Sequence, residues 1–110
     1  MNSSREKAIE GAVQSAASDV WTFLTNHAHV LVCIAKDPEI RLRDVASDVG
    51  ITERAVQKIV LELQTAGIIL KKRVGRRNQY EIQWSTPLRH PIEAHRTVGD
   101  LIGLVTGTSM

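Results

Sequence analysis

Apolar positions along the chain recur with two different periods. From Arg5 to about Ser18 they fall at Ala8, Ile9, Ala12, Val13, Ala16 and Ala17, which predicts a helix with a narrow stripe of small side chains. The polar residues Met1 to Ser4 before it read as a frayed tail. Asp19 to Leu24 alternates less clearly and is either a connector or a turn of helix. It carries Trp21 and Phe23, the heaviest apolar mass of the N-terminal half, packed either in a core or between copies of the chain. Asn26 then predicts an N-cap for a helix over His27 to Lys36. Its run from Val30 to Ala35 implies burial on most sides. Asp37-Pro38 ends it, because a residue before proline resists the α region.

A short segment, Ile40 to Leu42, leads into a second helix over about Arg43 to Val49, with Val45, Ala46 and Val49 inward. Gly50 stops it. Thr52 caps a third helix, Glu53 to Ala66, whose stripe of Val56, Ile59, Val60 and Leu63 keeps strict helical spacing; Gly67 terminates it. The period then drops to two. Ile68 to Val74 and Asn78 to Trp84 predict a hairpin around Gly75-Arg76-Arg77, with Tyr80, Ile82 and Trp84 on its buried face. Ser85 to Pro91 reads as a loop. A last helix is predicted from Ile92 to about Val105, with Val98, Leu101, Ile102 and Val105 on one face, and a frayed tail from Thr106.

Charge changes this picture more than composition does. The chain has 110 residues and a net charge of only +2. Residues 1–40 sum to −2 and residues 81–110 to −1, whereas residues 41–80 hold nine basic and four acidic side chains, a balance of +5. Localised positive charge at low net charge is a footprint for a polyanion, or else a solvated face. Where it falls decides between them. Two short helices joined by Gly50-Ile51-Thr52 have the form of a helix-turn-helix, whose second helix enters a DNA major groove through its N-terminal half. The outward residues there are Thr52, Glu53, Arg54, Gln57 and Lys58. Arginine reads guanine and glutamine reads adenine, while Lys58 reads guanine or holds a phosphate. Arg43, Lys72, Arg73, Arg76 and Arg77 are the candidate phosphate contacts.

Residues 30–84 resemble the winged helix-turn-helix domain of transcriptional regulators of the MarR/ArsR type. Leu42 to Thr52 is similar to their first helix and turn, and Ala55 to Ile69 to their recognition helix running into the wing. The resemblance implies a mainly α fold with a small β-hairpin wing and extra N- and C-terminal helices. It implies a homodimer on double-stranded DNA, with the wing tip along the backbone or in the minor groove. The compartment expected, from the missing membrane and secretory signals, is the cytoplasm. Two residues depart from the pattern. Arg41 stands where a Ser or Thr cap is usual, and Leu61 at a position usually polar. The organisation expected is an N-terminal helix and connector over 1–25, the DNA-binding domain over 26–86 and a dimerisation helix over 87–110. The terminal stripes, Ile9, Val13, Val98, Leu101, Ile102 and Val105, are the expected dimer interface, although the last helix has its own domain as an alternative partner. The competing readings are a winged-helix module that binds protein, and a regulator responsive to a metal or a small molecule whose effector the sequence does not identify.

Other chemistry finds little support. His27 and His29 lie about 200° apart on a helix and cannot share a metal from one face. Cys33 sits in an apolar run, and His90 and His95 complete no zinc spacing, so no metal or cofactor is expected. Nor is an enzyme, since no phosphate loop, paired carboxylates or nucleophile with a base stands out. No apolar run is long enough for a membrane helix, the polar N-terminus lacks the order of a secretory signal, and one cysteine forms no internal disulfide. With four aromatic residues available for stacking, duplex DNA is a better target than a single strand.

Overall fold

The computed structural model describes residues 20–107. The predicted helix over 5–18, with Ile9 and Val13, lies outside the described residues. The chain order is α1 (Asn26–Lys36), α2 (Leu42–Val49), α3 (Glu53–Thr65), β1 (Ile69–Val74), β2 (Arg77–Ile82) and α4 (Val98–Thr106). This is a mainly helical fold with a two-stranded antiparallel hairpin, a helix-turn-helix carrying a β wing.

Most ends of the first three helices have a local reason. The N-cap of α1 is Thr25 rather than Asn26: its Oγ1 accepts from the Ala28 N–H at 3.4 Å, and Asn26 becomes the first helical residue, its side chain bonded to His29. Asp37 takes extended backbone before Pro38 and closes the helix. Arg41 precedes α2 with no side-chain cap bond. At its end Gly50 has φ 87°, where a Cβ would be strained, and the Gly50 and Ile51 N–H groups both reach the Ala46 carbonyl. Thr52 Oγ1 caps α3 by accepting from Ala55 N–H at 3.0 Å.

The hairpin differs from the expected one. Its turn is two residues, Gly75-Arg76, because Arg77 already pairs with Val74 across the strands. Gly75 has φ 63° and Arg76 does not share that sign, the arrangement that matches strand twist in a tight hairpin. β2 ends at Ile82, although Gln83 N–H still reaches the Ile68 carbonyl at 2.8 Å, and Trp84 lies in the turn that follows. On its far edge, β2 is tied to the α1–α2 connection through Tyr80 N–H and the Pro38 carbonyl, 2.9 Å.

The last helix begins six residues later than its apolar pattern suggests, at Val98 instead of Ile92. Residues 86–88 pair with 96–98 through Leu88 N–H to the Arg96 carbonyl and Val98 N–H to the Thr86 carbonyl. That ladder holds Thr97 extended, and only beyond it does a reciprocal cap between Thr97 and Asp100 start α4. Thr106, expected in a frayed tail, is the helix's last residue. Gly99 lies so close to Trp84 that a Cβ there would meet the Trp84 carbonyl at 3.0 Å.

The core takes a side chain from every element: Val30 and Ile34 from α1, Val45 from α2, Val56 from α3, Ile69 from β1, Tyr80 from β2, Val98 and Ile102 from α4. The predicted stripe of α3 is buried throughout. Each such aliphatic side chain contributes about 1.5–3 kcal/mol on leaving water. Trp21 and Phe23 are exposed and contact each other edge to face, with ring centroids 4.9 Å apart.

Candidate nucleic-acid interface

With Val56, Ile59, Val60 and Leu63 packed inward, the helical repeat turns Arg54, Gln57 and Lys58 outward on one line, and all three are exposed. Glu53 stands exposed at the start of the same helix. Thr52 is exposed too, but its oxygen is engaged in the cap, which leaves its hydroxyl proton as the free donor. The line runs on to Leu61, 62% exposed, an apolar residue at the end of a polar stripe. Among the described residues, neither Arg54 nor Lys58 enters an ion pair.

The hairpin presents its cations differently. Gly75 turns the chain so that Arg76 occupies the tip, exposed and without an ion pair among the described residues. Arg73 leans over the turn, its Nε 3.4 Å from the Gly75 carbonyl. Lys72 and Arg77 have acidic partners: Lys72 Nζ lies 3.0 Å from Glu81 Oε1, and Arg77 Nη1 lies 4.0 Å from Glu39 Oε1. Arg43 is exposed at the start of α2. The sequence pattern misses both carboxylates as partners. Glu81 lies across the strands from β1, and Glu39 lies 38 residues from Arg77, so no local spacing relates them.

Tyr80 underlies this face. Burial pushes its hydroxyl above the usual tyrosine range. Between α2, the start of α3 and the hairpin runs a cleft of about 450 Å³ with Tyr80 in its wall. A second cleft, of about 680 Å³, lies between the start of α1, the C-terminal half of α3, the loop after β2 and α4; Leu31, Leu61, Leu88 and Leu101 line it. At its rim His27 Nε2 and Glu62 Oε1 are 2.7 Å apart, joining α1 to α3.

On α4 the predicted stripe divides. Val98 and Ile102 are each 1% exposed, because the helix lies across α1 and gives them to the protomer's own core. Leu101 is half-buried, while Val105 is exposed and Leu104, off the predicted stripe, is 81% exposed. Cys33 is half-buried on α1; burial, then the charge of Asp48, pushes its thiol up, against an opposing effect of Lys36. Among the described residues no group of three or more His, Cys, Asp or Glu is placed to hold a metal ion, and no helix is long and apolar enough to cross a membrane.

No protein-family model matches the sequence, and no curated protein does. Among solved structures, the PcaV transcriptional regulator from Streptomyces coelicolor, in complex with its natural ligand, is similar to this chain at 19% identity and a TM-score of 0.47. The likeness covers 72% of this chain and 60% of that one.

Proposed function

We propose that this chain is a sequence-specific, double-stranded DNA-binding transcriptional regulator, not an enzyme, working in the cytoplasm as a homodimer without a cofactor. The observation that carries this reading is the exposed line Arg54, Gln57 and Lys58 on α3, beside a hairpin whose tip is Arg76. A helix fits the major groove, and these side chains match base-edge donors and acceptors. The hairpin cations, with Arg43, hold phosphates and set register, and they carry no sequence information of their own. The terminal helices pair two copies, with Leu101, Leu104 and Val105 as the part of α4 open to a partner. The resemblance of residues 30–84 to regulators of the MarR/ArsR type supports the same reading.

Titration with random-sequence duplex at increasing salt tests it. Affinity is expected to fall steeply, in log–log form, with a slope of roughly −0.9 per phosphate neutralised. A flat profile removes the DNA reading and leaves the protein-binding module in its place.

A further inference from the structure

Reading α3 and the hairpin as a duplex-binding face leaves a carboxylate without a role. Glu39 lines the 450 Å³ cleft together with Arg41, Glu53, Arg76 and Arg77, so anionic side chains stand among the cations expected to meet phosphate. Its Oε1 is 4.0 Å from Arg77 Nη1, and both side chains are half exposed. The backbone holds this pair together. Glu39 N–H donates to Asp37 Oδ1 at 3.1 Å, and the adjacent Pro38 carbonyl accepts from Tyr80 N–H at 2.9 Å. Tyr80 lies three residues along β2 from Arg77, so the segment that carries Glu39 is fastened to the strand that carries its partner.

A carboxylate and a backbone phosphate are interchangeable acceptors for a guanidinium, since both take its fork of N–H donors. An exposed ion pair is weak enough to exchange. After exchange, the displaced carboxylate still stands beside the arriving phosphate and repels it. Both effects oppose binding, and neither depends on base sequence.

We propose that Glu39 is an intramolecular competitor for DNA phosphate: it holds Arg77 in the free protein, yields it on binding, and lowers affinity for duplexes of every sequence. This rests on the reading that the face binds duplex DNA.

The test is Glu39→Gln in the full chain, with random-sequence duplex as the probe over a salt series. Glu39→Ala is measured in parallel, and the thermal melt of each variant is recorded to show that it folds. The expected result is binding tighter by roughly threefold to tenfold at low salt, with a log–log salt slope steeper by up to about one. In an Arg77→Ala background the gain should shrink to less than half. If wild-type protein binds and both Glu39 variants bind equally or more weakly, the inference fails while the DNA reading stands. An undiminished gain without Arg77 also overturns it, as does a change in sequence preference in place of a uniform gain. If neither the wild type nor the variants bind duplex, the DNA reading falls and takes the inference with it.

Discussion

At the scale of single residues, the clearest consequence concerns Asp100. Its carboxylate accepts from Thr97 N–H at 3.0 Å, and Thr97 Oγ1 accepts from Asp100 N–H at 3.1 Å. The Thr97 backbone bond holds the Asp100 carboxyl below the usual carboxylate range against a smaller effect of burial, helped by the Thr97 side chain and Arg96. A group whose folded-state pKa is depressed contributes stability that is present above its unfolded value, about 3.9, and lost as pH falls through the folded value. Asp100→Asn should therefore melt below wild type at neutral pH, and the gap should close as both proteins are acidified below about pH 4. A gap of constant size in melts across that range would detach the cap from the charge. This T-x-x-D spacing is visible in the sequence. What the sequence does not show is that the chain stays extended up to Thr97, since the bonds of Leu88 and Val98 go to residues eight and twelve positions away. The same limit applies at α1. Thr25 and Asn26 are both good caps, and only the extended backbone of Thr25, with its oxygen accepting from Ala28 N–H, separates them.

At the scale of elements, α3 and the hairpin divide the proposed work. Replacing Arg76 and Arg77 together with Ala should weaken every duplex alike and flatten the salt slope by roughly 0.9 to 1.8, the lower figure applying if Glu39 already offsets Arg77. Replacing Arg54 with Ala should instead cost roughly 1–3 kcal/mol on a preferred sequence and much less on random duplex. Binding isotherms on both DNAs separate the cases, and an Arg54→Ala loss equal on the two would remove Arg54 from base reading. The elements themselves were largely legible. The repeat of Val56, Ile59, Val60 and Leu63 specifies which face of α3 is buried, and therefore which is outward, because a helix has only one complement to its apolar stripe. The two-residue turn was not legible, since Gly75-Arg76-Arg77 reads equally as a three-residue loop until the pairing of Val74 with Arg77 is known.

At the scale of the whole molecule, the question is what covers α4. Leu104 is exposed, and among the described residues it takes no part in the protomer's core. Leu104→Glu should leave the thermal melt of an isolated protomer unchanged while converting a dimer at micromolar concentration to a monomer in light scattering. A wild-type monomer at that concentration would remove the two-fold arrangement and its expected half-sites about 10 base pairs apart. The aromatic residues show the same dependence on scale. Trp21 and Phe23 are heavy apolar side chains, yet among the described residues they touch each other and remain exposed, while Trp84 packs half-buried against Gly99.

The sequence by itself determined the local features: three helices with their stops at Asp37, Gly50 and Gly67, the change of period at the hairpin, and the concentration of positive charge in the middle third. These depend on side-chain period, proline and glycine, which act over a few residues. Tertiary structure alone decided where α4 begins, that Val98 and Ile102 belong to the protomer's core, and that Arg77 and Lys72 already face Glu39 and Glu81. Each of those depends on a contact beyond one helical or strand repeat, between residues eight or more positions apart, and hydrophobic period carries no information about which residue will stand opposite.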